Sequence, residues 1–408
     1  MLLSGGQLGH TPALDGLRGL ACGAVLLEHC LTGILKIPHD TWIWTVRDAT
    51  FWLLLGGVDL FFVLSGFLIG GLLLDSKERK AGTHFFKNFW IRRVARIFPV
   101  AYLLLATYVV ASFVTTRFNI TRFDTWLLAA NPASLWNYVT FTQNVPMAFA
   151  GYHDKGPLWM VPTWSLAIEE QFYLLFPLLV YFMRRKWLVV LIVCGIVAAP
   201  VMRDLVERGF ADWFAAYVLS PSRLDGLLFG VAVALIVRHQ PSFDLAVRYR
   251  RLLDAVALLL LFLIVTDWRC PFWPERDHGD MYPLKFTFLA IMWAVLVLRV
   301  FTYQRSFLNR IWCNWILVKI GLISYGVYMY NEVVNGLVHG LLFNQEPMIK
   351  TPEQLLAGFA VAAITFGLAA ISFVYLERPI RRYGAAVAKG LSRDGARAKV
   401  LAGVPAAE

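Results

Sequence analysis

FAVAAITFGLAAISFV, residues 359–374, runs through sixteen positions without an ionisable side chain. That length and composition approach the roughly 20 apolar residues with which an α-helix crosses a bilayer. Reading outward, LLDAVALLLLFLIV at 252–265 and LKFTFLAIMWAVLVL at 284–298 repeat the pattern, each with a single charge. Of 408 residues, 58% are hydrophobic and 16% charged, where a soluble domain averages roughly 45–50% apolar and about 25% charged. The fifteen Trp suit a chain whose amphipathic rings gather at the membrane–water interface. The fold class that follows is an all-α integral membrane protein, without room for a sizeable soluble domain.

The apolar periodicity predicts about ten transmembrane helices, near 13–36, 50–74, 97–115, 161–183, 187–202, 221–238, 252–267, 283–301, 314–343 and 354–377. The stretch 119–149, with Asn131-Pro132, leaves room for a half-helix or an interfacial helix. Basic residues gather in alternate connections: Lys77 to Arg96, Arg184 to Lys186, Arg238 to Arg251, Arg305 with Arg310, and Arg378 to Lys389. The other connections hold only scattered cations such as Arg47, Lys155, Arg203 and Lys350. Cytoplasmic loops are the ones enriched in Lys and Arg, so both termini are expected in the cytoplasm. The division expected is a transmembrane domain over 1–383 and a basic, fraying cytoplasmic tail over 384–408. The first apolar segment carries Asp15, Arg18, Glu28 and His29 behind no basic leader, and reads as a retained span rather than a cleaved signal.

A formal charge of +11 raises nucleic acid as a partner, but the cations sit in short clusters between apolar spans and in no nucleic-acid-binding motif. Membrane lipid is the expected neighbour. The five Cys show no metal-ligand spacing, the His are dispersed, and no metal is expected. HExxH, GxSxG and a phosphate-cradling Gly-Lys-Ser/Thr loop are all missing, which argues against a zinc or serine hydrolase.

An ionisable side chain in mid-span costs about 2.5–3.5 kcal/mol on insertion scales and usually marks a pathway or a site. Asp15, Arg18, Glu28, His29, Asp59, Glu169, Glu170, Asp225 and Glu332 all fall within or beside apolar spans. Arg18 and His29 are eleven residues apart, about three turns and roughly 16 Å of rise, and so share one helix face. That arrangement suits a long substrate with its charged end at Arg18 and its reactive end at a His that takes a proton near neutral pH. It equally suits a His satisfied by a neighbouring helix and an Arg snorkelling to the interface. Arg93 and Arg96, in RRVARIFP at 92–99, stand at i, i+3 and can reach one phosphate with two planar forks; the plain alternative is the basic collar of a membrane helix. In TWSLAIEEQFYLLFP, 163–177, Ser165 and Glu169 share a face at i, i+4, while Glu170 points about 100° away. Arg223 and Asp225, in SPSRLDGLLFG, are the candidate buried partners of this segment.

Together these blocks resemble the bacterial transmembrane acyltransferase-3 family. LDGLRGLA at 14–21 is similar to its opening motif, and Arg18 with His29 to its Arg-x10-His pattern. GVDLFFVLSGFLI at 57–69, RRVARIFP at 92–99, WSLAIEEQFYLLFP at 164–177, SRLDGLLFG at 222–230 and LERP at 376–379 follow in the family's order. The resemblance implies an O-acyltransferase in which His29 is the catalytic residue, as general base or transient acyl acceptor, with Glu169 beside it. It implies that Arg93 and Arg96, aided by Arg18, hold the phosphates of cytoplasmic acyl-CoA, with acetyl as the default group. Asp15, Asp59, Ser165, Arg223 and Asp225 are expected to support that site. The expected acceptor is a hydroxyl of a glycan, a lipid-linked sugar or another molecule at the far side of the inner membrane. The chain departs from the family where a late His is usual: ISYGVYMYNE, 323–332, has Asn331 there. No appended esterase-like domain is expected, and the acceptor is then expected to meet the bundle and the 116–160 connection, with Asn137, Asn144, His153 and Asp154. The competing readings are a transporter or flippase without chemistry and a degenerate acyltransferase acting as a scaffold.

Overall fold

The computed structural model describes residues 2–3, 7–8, 11–31, 53–79, 84–120, 127–128, 130–210, 212–265, 283–303 and 306–401. Their long helices are α1 (Pro12–Leu31), α2 (Gly57–Glu78), α3 (His84–Arg117), α4 (Thr163–Phe182), α5 (Arg185–Phe210), α6 (Leu224–Arg238), α7 (Arg250–Val265), α8 (Pro283–Thr302), α9 (Trp315–Phe343), α10 (Pro352–Ser372) and α11 (Arg378–Leu401). A two-residue antiparallel pairing, Leu2–Leu3 with Gln7–Leu8, is the strand structure among them. A helix occupies each of the ten stretches expected from periodicity; residues 32–36, 50–52 and 266–267 of those stretches lie outside the described residues.

Among the described residues, seven helices are long and apolar enough to cross a membrane by length and composition alone: Leu53–Glu78, His84–Arg117, Thr163–Phe182, Arg185–Gly209, Ser220–Arg238, Pro283–Thr302 and Pro352–Gly390. The other three have evident reasons to fall short. α1 holds Asp15, Arg18 and Glu28, α7 has 16 described residues, and α9 is diluted by Tyr, Asn and Gly. The outer surface is apolar. On α5, Val189, Val193, Val197 and Val201 repeat every fourth residue with relative exposures of 41%, 54%, 63% and 51%, a continuous stripe that water would penalise and lipid accepts.

Two helix pairs pack backbone to backbone. A Cβ on Gly19 would lie 2.1 Å from Leu317 O, and one on Gly321 would lie 1.8 Å from Asp15 O, so α1 and α9 meet where only glycine fits. The pair is parallel: Gly16 faces Trp312, Cys22 Sγ approaches Ser324 O, and His29 meets Asn331. Gly66 and Gly230 do the same between α2 and α6, against Leu227 O and Val63 O. α2 is the central helix, with fourteen buried residues from Gly57 to Leu74.

Charged groups lock the bundle at one level. Arg203 of α5 donates to both carboxylate oxygens of Asp225 at 3.1 and 2.7 Å and to Pro283 O at 2.7 Å, and bonds Thr287 and Ser222. Arg223 donates to Asp59 Oδ1 at 3.0 Å and lies 3.9 Å from the Phe286 ring centroid. Both guanidinium groups are buried, at 2% and 1% exposure. This lock explains why α5 runs on to Phe210 rather than ending near 202: Arg203, expected in a connection, has buried partners on two other helices.

Two further boundaries differ from expectation. α3 starts at His84 rather than 97, because HFFKNFWIRRVAR is amphipathic: Phe85 and Phe89 are buried while Lys87 and Arg92 are exposed. Arg93 and Arg96 therefore project from inside a helix. At the other end, α10 passes through a π-helical turn, Phe373–Glu377, into α11, so residues 384–401, whose composition reads as a fraying tail, are helical. Gly384 of α11 lies against Ala95 of α3.

Candidate active site

α1, α2, α3, α4 and α9 enclose two cavities that share a wall. The larger, with about 820 Å³ of empty space including its mouth, is lined at one end by Arg18, Arg93, Arg96, Glu169 and Tyr173 and deeper in by Phe61, Ser165, Tyr328 and Val58. The smaller, about 370 Å³, is lined by Glu28, His29, Glu332, Leu54, Leu55, Trp164 and again Val58 and Tyr328. Helix registers fix this order. α1 rises from Arg18 to His29, α9 from Tyr325 to Glu332 beside it, and α4 carries Ser165 and Glu169 one turn apart.

At the basic end Arg18 Nη1 donates to Asp15 Oδ1 at 3.0 Å, an i, i+3 pair that turns the guanidinium along the helix. Arg93 stacks 5.8 Å from the Tyr173 ring centroid, and its buried Nε has no protein acceptor among the described residues. Arg18, Arg93 and Arg96 stand near enough to repel one another, with Glu169 as countercharge to Arg93 and Arg96. Glu169 Oε2 accepts from Tyr173 Oη at 2.9 Å, and Tyr173 also bonds Ser65 of α2. Three guanidiniums converge on this cavity, with Asp15 bonded to Arg18, Glu169 facing Arg93 and Arg96, and Glu170 within electrostatic reach of Arg93.

At the other end, His29 is held from three sides. Asn331 Nδ2 donates to Val327 O and Tyr328 O at 3.2 and 2.8 Å, so its Oδ1, 2.5 Å from His29 Nδ1, is the acceptor. His29 Nδ1 therefore carries a hydrogen, in the neutral and in the charged ring alike. Glu28 Oε2 lies 3.2 Å from Nε2 and Glu332 Oε1 3.2 Å from Nδ1, both ready to receive the charge of an imidazolium. Asn335 Nδ2 donates to the His29 carbonyl at 3.1 Å and pins the backbone. Lys155, its ammonium 3.6 Å from the Tyr152 ring centroid, is within electrostatic reach of His29 and Glu332. Among the described residues no group of three His, Cys, Asp or Glu is arranged to hold a metal ion.

Residues 11–375 match the family model described as an acyltransferase domain, acyltransferase-3. The chain belongs to the acyltransferase-3 family. It is 29% identical over 392 residues to the peptidoglycan O-acetyltransferase OatA of Listeria monocytogenes, covering 92% of this chain and 56% of the relative. A Staphylococcus aureus protein assigned by name to O-acetyl transfer is 28% identical over 397 residues, 93% of this chain and 58% of its own. The chain thus spans somewhat more than half the length of these curated relatives. No solved structure matches it.

The structure gathers most of the residues singled out in this acyltransferase-3 sequence, in two groups rather than one. Arg18, Arg93, Arg96, Ser165 and Glu169 line the basic cavity with Asp15 behind Arg18, while His29 lies beyond the shared wall. Arg223 and Asp225 are not the partners of Glu169: with Asp59 they form the lock on α2, α5, α6 and α8. Asn137 closes a capping box with Ser134, and Asn144 holds Val218 O and Gln171; neither lines either of these two cavities, nor does His339, which packs on Phe343. Missed as site residues were Glu28, Glu332 and Tyr328. The two carboxylates stood out as membrane charges, but only the α1–α9 contact brings both to His29.

Proposed function

We propose that this chain is a membrane O-acyltransferase moving an acetyl group from cytoplasmic acyl-CoA to a glycan hydroxyl across the bacterial inner membrane. One observation carries the reading. A cavity of three guanidiniums abuts, through one shared wall, a cavity whose imidazole is held at Nδ1 by Asn331 and flanked by Glu28 and Glu332. Arg93 and Arg96 offer two adjacent forks to the donor's phosphates, Arg18 adds charge, and Phe61, Leu64, Leu68 and Ile69 line an apolar path inward. The thioester then arrives at the shared wall with His29 beyond it. Glu169 sits with the cations, so its role here is to hold Arg93 and Arg96 rather than to act on the reacting atoms.

In the step proposed, the acceptor oxygen attacks the thioester carbonyl carbon while His29 Nε2 takes the hydroxyl proton. The new C–O bond forms, the C–S bond breaks, and the imidazolium returns its proton to the departing thiolate, giving CoA thiol and neutral His29. Glu28 and Glu332 stabilise the transient imidazolium. The names of the relatives favour peptidoglycan or a related surface glycan as acceptor; a lipid-linked sugar presents the same hydroxyl chemistry.

Ten spans with both termini cytoplasmic complete the proposal. Helices separated by an even number of crossings must run parallel, and α1 with α9 and α2 with α6 do so. Reporter fusions at Arg79, Lys186 and Arg248 should read cytoplasmic and one at Glu346 periplasmic; a periplasmic signal at Arg79 would overturn the topology. For the activity, purified protein in nanodiscs should release thiol from acetyl-CoA only when a peptidoglycan fragment or chitooligosaccharide is added. Glycan movement without thiol release would support a flippase instead.

A further inference from the structure

The wall between the two cavities has a composition that bears on which acyl groups can pass. Val58 and Tyr328 are the residues that line both cavities. Tyr328 is clamped: its hydroxyl donates to Pro162 O at 3.1 Å and meets Ser165 Oγ at 2.6 Å. The edge of its ring contacts Phe61, with centroids 6.1 Å apart. Val58 is 7% exposed and sits in the first turn of α2. That turn cannot retreat, because its neighbour Gly57 already abuts α1; a Cβ there would lie 2.8 Å from Ala21 O.

We infer that Val58 and Tyr328 form a rigid aperture that sets acyl length, passing acetyl thioesters and rejecting chains of four carbons or more. The inference rests on the acyl-CoA reading given above and names the residues that would make acetyl the transferred group. Every donor must present its carbonyl carbon at this wall, because the phosphates are held at Arg93 and Arg96 and the base lies on the other side. An acyl chain at this wall lies against Val58 and Tyr328. A butyryl chain would have to displace either an immobile helix turn or a doubly bonded tyrosine. In close-packed apolar sites a single methylene changes selectivity by about tenfold or more.

The test is the ratio of kcat/KM for butyryl-CoA to that for acetyl-CoA, measured by thiol release in nanodiscs. Wild type should strongly favour acetyl-CoA. Val58→Ala should raise the ratio by about tenfold, mainly through the butyryl term. Val58→Ile, which adds a methylene at the wall, should instead depress propionyl-CoA relative to acetyl-CoA, and serves even if the alanine variant inserts poorly. A wild type that uses both donors equally, or an unchanged ratio in an active Val58 variant, would overturn the aperture. No thiol release from any donor by wild type would instead overturn the acyltransferase reading on which the aperture rests.

Discussion

Asn331 stands where the family usually carries a histidine, and at the scale of single residues it decides how His29 is read. Sequence marked the position as a departure without supplying a role, since an asparagine's neighbours are set by tertiary contacts alone. In the fold its amide group is spent on Val327 and Tyr328 carbonyls, which leaves only the oxygen for His29 Nδ1. His29→Ala should therefore lower turnover by about 10²–10⁴-fold, the usual contribution of a general base, with the protein still inserted and monodisperse. Asn331→Leu should reduce kcat by about tenfold or more, by freeing the wrong tautomer, while KM for acetyl-CoA holds; steady-state kinetics separates the two. Glu169→Gln should hurt more than Glu170→Gln, because Glu169 faces the cavity with Tyr173 and two guanidiniums. Equal losses at matched thermal stability would show that the orientation of α4 has been misjudged.

Among the elements, α3 shows where periodicity succeeds and where it stops. Its apolar second half is evident in the sequence, but the amphipathic first half looks like a basic connection, since half its face is charged. The structure joins both into one 34-residue helix, and so turns a presumed collar into a rigid arm aimed at the cavity. Replacing Arg93 and Arg96 together with Ala should weaken CoA binding about a hundredfold, the low end for two hydrogen bonds to charged groups. Calorimetry with CoA and 3′-dephospho-CoA measures it, and undiminished affinity would return the pair to the role of a collar. Lys at both positions should rescue only in part, lacking the planar fork. The glycines at the α1–α9 contact were visible as letters but not as packing surfaces: nothing in sequence says that Gly19 faces Leu317.

On the scale of the whole molecule, the parts hardest to read were those that bring distant helices together. Asp59 and Asp225 were recognisable as costly charges, yet their pairing with Arg223 and Arg203 depends on four helices converging. Asp225→Asn should destabilise the bundle by about 3–5 kcal/mol, the cost of breaking a buried pair, read as a lower thermal midpoint in nanodiscs. Replacing Arg203 and Asp225 together with Met and Leu should recover much of that loss. The shared wall has a further consequence for the cell. On the proposed reading the chemistry occurs across a seal, since an acyltransferase open from both faces would short-circuit the proton-motive force, and the Tyr328–Ser165–Pro162 clamp with Val58 would be that seal. Enlarging it should make the enzyme leak: proteoliposomes bearing Val58→Gly should collapse an imposed pH gradient, followed by an entrapped dye, faster than wild type, and bound CoA should slow the collapse by plugging the opening.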